Sequence, residues 1–309
     1  MNRFNPYDYV PVGNFTTEHI SSTGTFQQFR VSFDSACPAD FPEMNLVTGD
    51  YYLPRNTTKK HPLVVLVHGV GDTSTMPCRL LARSLAGAGI ASLVLYMPIH
   101  SRRLPEEMKK RFYDLSAQDW FNLYRISVVN IRQVLDWAES RLEIDTHRLG
   151  VAGISFGGYV SAIAMGIDRR LRAGAFLFTA GNLEKLARTR SSSRFTRYDI
   201  SEDLFRKNQS SYMAYVADVS ARGFDNVPPP QVGYLFDPYT FCSEIKNKPV
   251  LMMNAHWDEY FPKEAANEFW EACGKPKQIW LPASHASAWI YYPVIRHHVV
   301  NLFRNSLMV

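Results

Sequence analysis

Residues 149–158 read LGVAGISFGG, and this stretch decides the fold because it places a serine between glycines at the end of a short β-prone segment. A helix of small residues is expected directly after it, so Ser155 lies in the strand–turn–helix setting of the nucleophile-elbow pattern G-x-S-x-G. A turn this sharp strains the serine backbone and leaves no room for a Cβ at the flanking positions, which explains Gly153 and Gly157. The pattern therefore predicts that the Ser155 hydroxyl projects at the edge of a sheet.

The residues around this stretch predict an α/β protein with a doubly wound, mostly parallel open sheet. From residue 61 onward, short continuous apolar segments alternate with helical ones, as in a parallel sheet whose two faces are covered. The predicted strands are 63–67, 91–96, 149–153, 173–179, 249–254 and 278–281. The predicted helices are 77–86, 119–141, 157–166, 262–273 and 292–306.

Two parts of the chain depart from this alternation. Within residues 1–60, segments 27–35 and 45–53 alternate between apolar and polar residues, so they predict antiparallel strands that join the same sheet. Residues 61–309 form the predicted core. Within that core, residues 181–243 are polar and partly helical and lack a core strand, so we expect a helical cap insertion over the active site.

The composition excludes several classes of protein. Of 309 residues, 46% are hydrophobic and 20% are charged, which suits one large α/β domain. The net charge of +5 is mild and its basic residues are scattered among acids, so nucleic acid is not an expected partner. Residues 1–9 lack the apolar segment of a secretory signal, and no apolar stretch approaches the roughly 20 residues of a membrane span. We therefore expect a cytoplasmic protein.

The cysteines give no sign of a metal site. They are widely spaced, with no C-x-x-C pair and no clustered histidines, at Cys37, Cys78, Cys242 and Cys273. This spacing favours reduced thiols over a metal site or a disulfide framework, and it leaves oxidation between some of them open.

Catalysis by Ser155 would need two partners. A serine hydroxyl is too weakly acidic to attack a carbonyl at neutral pH, so it requires a histidine base and a carboxylate that orients the histidine. Both residue types follow predicted strands: segment 249–254 leads to Asp258, and segment 278–281 leads to His285.

Other acids and histidines fit these roles less well. Glu259 is expected to point elsewhere from the loop of the first acid, and Asp237 lies in the insertion. His256 is too close in sequence to its presumed acid. A histidine within a helix is usually a surface or packing residue, and this applies to His297 and His298.

In these residues and their order, the chain resembles the α/β-hydrolase superfamily, nearest to its dienelactone-hydrolase-like and prolyl-oligopeptidase-like branches of esterases. The resemblance covers roughly residues 60–305. It implies a catalytic triad in the order serine, acid, histidine, carried here by Ser155, Asp258 and His285. A proline four residues after the acid matches the family, and Pro262 stands there.

The developing oxyanion needs two backbone N–H donors that are fixed before the reaction starts. Phe156 N–H, at the start of the predicted helix, is the first candidate. Segment 68–73 reads HGVGDT and resembles the H-G-x-G oxyanion loop of the family. Val70 N–H is therefore the expected second donor, with Gly71 as the alternative, and the His68 ring is expected to fix the loop through hydrogen bonds.

Substrates of open sheets bind beyond the carboxyl ends of the strands, where residues 97–103 are predicted to lie. His100 and Arg103 either line the acyl or leaving-group pocket or are solvated loop residues, and the sequence leaves both open. Trp257 flanks the acid loop and is either part of an aromatic wall or a packing residue.

The resemblance implies a serine hydrolase that cleaves small-molecule carboxylic esters through an acyl-enzyme, without metal or cofactor. The first alternative is an amidase, peptidase or thioesterase with the same triad. The second is a non-catalytic hydrolase-fold protein that binds a ligand or partner. The physiological substrate and the oligomeric state do not follow from the sequence.

Overall fold

One sheet organises the protein. The computed structural model describes residues 5–55, 59–71, 75–100, 102–188 and 201–308. Within these residues, nine strands pair in the order β1-β2-β3-β5-β4-β6-β7-β8-β9. The strands are β1 Thr16–Ser22, β2 Phe26–Asp34, β3 Leu46–Pro54, β4 His61–Val67, β5 Ala91–Leu95, β6 Ile144–Ile154, β7 Leu171–Leu177, β8 Val250–Trp257 and β9 Lys277–Ser284.

The sheet is antiparallel at one edge and parallel elsewhere. β1, β2 and β3 form antiparallel pairs, and β3 joins β5 in the same way. From β5 to β9 every neighbouring pair is parallel. The predicted mostly parallel open sheet with antiparallel N-terminal strands is confirmed. β1 was not predicted, because this edge strand is largely exposed and lacks a buried apolar face.

Helices cover both faces of the sheet, as predicted. The helices within the described residues are α1 Thr75–Gly87, α2 Glu106–Lys110, α3 Ala117–Glu139, α4 Phe156–Ile167, α5 Leu183–Leu186, α6 Glu202–Arg222, α7 Cys242–Ile245, α8 Lys263–Ala272 and α9 Tyr292–Leu307. α1 and α9 pack in one apolar cluster, and α3, α4 and α8 in the other. In α9 the buried residues recur every fourth position, at Ile295, Val299 and Phe303, which gives the helix one apolar stripe.

Where the structure describes it, the segment between β7 and β8 carries the helices α5, α6 and α7. Its residues 189–200 lie outside the described residues. The fully buried carboxylate of Asp237 links two parts of this segment, because it accepts the N–H groups of Asn182 at 3.0 Å and Tyr239 at 2.9 Å. The function of residues 181–243 as a cap stays a prediction.

No helix in the described part of the chain combines the length and the apolar character that a membrane crossing requires.

Candidate active site

Ser155 occupies a strained turn between β6 and α4. Its backbone has φ 55° and ψ −118°, a conformation that residues with a Cβ rarely adopt. Such strain costs on the order of 1–3 kcal/mol and persists only where the surrounding structure fixes it. Two bonds fix it here: Ser155 N–H donates to Leu177 O at 2.8 Å, and Tyr159 N–H donates to Ser155 O at 3.0 Å. The turn thus holds the serine at the carboxyl end of β6.

The glycines beside the serine are required by crowding, as the sequence predicts. A Cβ on Gly153 would lie 2.0 Å from the carbonyl oxygen of Gly157. A Cβ on Gly157 would lie 2.1 Å from the carbonyl oxygen of Val67, on the neighbouring strand β4. Both contacts are with backbone, which cannot rotate away as a side chain can.

The three residues predicted for a triad meet in space. His285 Nε2 lies 3.0 Å from Ser155 Oγ, and His285 Nδ1 lies 2.7 Å from Asp258 Oδ2. The three side chains come from the ends of β6, β8 and β9, which the parallel topology brings to the same edge of the sheet. A proton can therefore pass from the hydroxyl to the imidazole while the carboxylate holds the ring.

Asp258 is far more buried than its histidine partner, with side-chain exposures of 2% and 17%. Its second oxygen, Oδ1, accepts the N–H groups of Tyr260 and Phe261, each at 2.9 Å. These hydrogen bonds compensate the carboxylate for its lost hydration and fix its orientation.

Glu259 points elsewhere than Asp258: its Oε2 accepts the backbone N–H of His285 at 3.1 Å, whereas Asp258 contacts the ring. The sequence carries no signal for this contact, since the two residues are 26 positions apart and meet only through the pairing of β8 with β9.

Aromatic rings surround the imidazole of His285. The rings of Tyr260 and Phe261 have centroids 5.0 and 5.8 Å from the imidazole, and the centroid of Phe178 lies 6.3 Å away. The first two of these residues also supply the N–H groups to Asp258, so one loop both holds the acid and shields the base. These aromatic residues were not predicted as part of the site.

The loop after β4 lies directly over the serine. A Cβ on Gly69 would be 3.2 Å from Ser155 Cβ and 3.8 Å from its Oγ, so this glycine lets the loop approach the hydroxyl. Val70, the expected second oxyanion donor, is the next residue. The His68 ring is buried and fixes the loop, as predicted: its Nε2 accepts Met97 N–H at 3.0 Å, so Nδ1 donates to Gly69 O at 2.7 Å.

The expected first oxyanion donor, Phe156 N–H, is at the first residue of α4. The first N–H groups of a helix have no acceptor within it, and they carry the positive end of its dipole. The Phe156 ring packs against Tyr124 at a centroid distance of 4.9 Å, which fixes the start of the helix.

The residues predicted to bind substrate have different surroundings. His100 and Arg103 are both buried, so the alternative that they are solvated loop residues is wrong. The Arg103 guanidinium donates to Tyr96 O at 2.8 Å and to Asn130 Oδ1 at 3.0 Å. Burial lowers the pKa of Arg103 to about 9. Trp257, in contrast, is 67% exposed at the end of β8. A part in substrate binding stays a prediction for all three.

The fold and the clustered Ser155, His285 and Asp258 define an α/β hydrolase. Residues 13–203 match the protein family described as alpha/beta hydrolase domain containing 18, and the chain belongs to that family. A comparison with curated protein sequences finds no match.

Solved structures share the fold at low sequence identity. An acetyl xylan esterase from Paenibacillus sp. R4 is similar with a TM-score of 0.68 at 18% identity, over 95% of this chain and 89% of that one. Acetyl xylan esterase 1 from Thermoanaerobacterium sp. JW/SL YS485 gives a TM-score of 0.59 at 14% identity, over 95% and 88%. The acylaminoacyl peptidase of Pyrococcus horikoshii gives 0.60 at 16% identity, over 91% of this chain and 41% of that one.

Proposed function

We propose that the protein is a serine hydrolase that cleaves carboxylic esters through an acyl-enzyme. The observation that carries this proposal is the continuous hydrogen-bonded path from Ser155 Oγ to His285 at 3.0 Å and on to Asp258 at 2.7 Å. The strained serine backbone supports it, because strain of this kind concentrates where a fold presents a reactive group.

In the proposed reaction, Ser155 Oγ attacks the carbonyl carbon while His285 Nε2 takes the hydroxyl proton. The carbonyl π electrons move onto oxygen, and the N–H groups of Phe156 and Val70 stabilise this oxyanion. When the intermediate collapses, the ester C–O bond breaks and His285 returns the proton to the leaving alcohol. Water then hydrolyses the acyl-enzyme by the same sequence and restores the serine. Asp258 holds the imidazole tautomer throughout.

We propose an ester as the substrate because acetyl xylan esterases share the fold. Acetyl xylan esterases are among the proteins of similar fold, and so is an acylaminoacyl peptidase. An amidase, peptidase or thioesterase would use the same three residues, so esters, amides and thioesters with the same acyl group must be compared side by side.

The test uses Ser155→Ala, with Ser220→Ala on the exposed face of α6 as a matched control. We expect wild type and the control to hydrolyse short p-nitrophenyl esters and to be labelled by a fluorophosphonate probe. Ser155→Ala should lose both properties while its circular dichroism stays unchanged, because residual catalysis without the nucleophile is lower by a factor of about 10⁴ or more.

Two results would contradict the proposal. Turnover by Ser155→Ala at the wild-type rate would exclude this serine as nucleophile. A wild-type protein that neither hydrolyses esters, amides or thioesters nor reacts with the probe would instead be a binding protein with this fold.

A further inference from the structure

The loop after β8 carries two adjacent carboxylates, and both contact the same histidine. Asp258 Oδ2 lies 2.7 Å from the ring nitrogen Nδ1 of His285, whereas Glu259 Oε2 accepts the backbone N–H of His285 at 3.1 Å. We infer that Glu259 is a positioning residue that holds the main chain of His285, so that the ring stays between Ser155 and Asp258. This inference rests on the proposed function, because it gives His285 the part of the base.

The main chain of His285 needs a link of this kind because it lies just beyond the sheet. The last paired residue of β9 is Ser284, opposite Trp257 of β8. In the turn that follows, Ser284 N–H donates to Ser287 Oγ at 2.9 Å and Ser287 N–H donates to Ser284 Oγ at 3.2 Å. These two bonds shape the turn from within and do not connect it to the acid loop. The Glu259 bond connects the main chain of the turn to that loop, whereas Asp258 contacts only the ring.

The contacts to the imidazole cannot replace the Glu259 bond. Asp258, Ser155 and the surrounding aromatic rings act on the ring and not on the main chain, so a shift of the His285 Cα still displaces the ring. A shift of this kind changes the 3.0 Å separation between Nε2 and Ser155 Oγ, on which proton transfer depends. Bonds to both the backbone and the ring of His285 remove this freedom.

Glu259 is well placed for this task because its own loop is fixed. Asp258 Oδ1 accepts the next two N–H groups of the loop, those of Tyr260 and Phe261, so the backbone on either side of Glu259 is held. The Glu259 side chain is itself exposed, so packing does not dictate its direction. Because water competes with an exposed hydrogen bond, losing the bond from Glu259 to His285 should change the unfolding temperature little. The loss should instead alter the geometry of the turn.

The experiment compares Glu259→Ala and Glu259→Gln with Glu264→Ala, an exposed acid in the first turn of α8 that controls for the loss of one negative charge. For a p-nitrophenyl ester that the wild type hydrolyses, we expect Glu259→Ala to lower kcat about tenfold and to leave KM within about twofold. Glu259→Gln keeps a carbonyl acceptor and should restore most of the rate, and Glu264→Ala should match the wild type.

A readout independent of turnover is amide hydrogen exchange in peptides that cover residues 282–289. Glu259→Ala should exchange faster there than the wild type, and the other two variants should not. Wild-type rate and exchange in Glu259→Ala would overturn the inference, as would a Gln variant as impaired as the Ala variant, because the acceptor would then not be what matters. A wild type without hydrolytic activity would instead refute the proposed function, and the positioning role would fall with it.

Discussion

The substitution Gly157→Ala tests the physical basis of the serine turn. The new Cβ would lie 2.1 Å from the carbonyl oxygen of Val67 and 2.6 Å from that of His68, whereas ordinary contacts begin near 3.4 Å. Relief requires a movement of more than 1 Å between α4 and β4, both of which are buried. Neither backbone can move this far without disrupting the packed core, so we expect Gly157→Ala to lower the free energy of unfolding by about 4 kcal/mol.

Two other glycines provide graded controls. At Gly233 an added Cβ meets no atom within 4 Å, so Gly233→Ala should change stability by less than about 0.5 kcal/mol. At Gly150 it would lie 2.7 Å from Cε1 of Phe303, a side chain that can shift, so Gly150→Ala should cost about 1–3 kcal/mol.

Thermal unfolding followed by circular dichroism ranks the three variants. About 4 kcal/mol corresponds to a drop of roughly 10 °C in Tm for a protein of this size, and ester hydrolysis should be lost with the turn. If Gly157→Ala melted with Gly233→Ala and kept its activity, the argument that crowding fixes the serine turn would be wrong.

Three further predictions concern buried groups. Arg103→Met should lower the unfolding free energy by about 3 kcal/mol in urea titrations, because the guanidinium satisfies buried acceptors. Unchanged stability would contradict this reason, and a raised KM for small esters would support the predicted role in substrate binding. Burial alone would raise the pKa of Asp168, but hydrogen bonds and charge from Arg170 outweigh it and hold that pKa below its usual value. The native state therefore binds fewer protons than the unfolded state near this pKa. The stability that results is present above about pH 4 and is lost as the pH falls below it. We expect Asp168→Asn to flatten the acid limb of a plot of Tm against pH. Burial raises the pKa of the Cys78 and Cys242 thiols, so Ellman's reagent should leave both unmodified in the native protein and react with them once guanidinium chloride unfolds it.

The arginine prediction has a matched comparison. Arg206→Gln, on the exposed surface of α6, removes an arginine without leaving buried acceptors and should match the wild type in urea. An acid limb unchanged in Asp168→Asn, or rapid labelling of Cys78 in the folded protein, would contradict the corresponding argument.

Local sequence was sufficient wherever one short segment decides the outcome. The motif alone predicted the serine turn, and at Gly153 the crowding does arise within a few residues, because an added Cβ would meet the carbonyl oxygen of Gly157. The backbone that crowds Gly157 belongs to β4 and the residue after it, so that contact comes from the fold. The alternation of apolar segments with helical ones likewise predicted the parallel sheet, since strands covered on both faces must be apolar throughout. β1 was not predicted because an exposed edge strand need not be apolar.

The tertiary structure alone decided contacts between distant segments. Arg103 was expected either in a substrate pocket or in solvent, and the fold buries it with its guanidinium bonded to the backbone carbonyls of Tyr96 and Met44. No sequence pattern indicates these partners. The bond from the backbone N–H of His285 to Glu259 was not predicted, and it forms because the pairing of β8 with β9 sets the two loops side by side. The physical reason is the same in both cases: a residue's neighbours along the chain fix its backbone, but the partners of its polar atoms are chosen by the packing of elements that lie far apart in sequence.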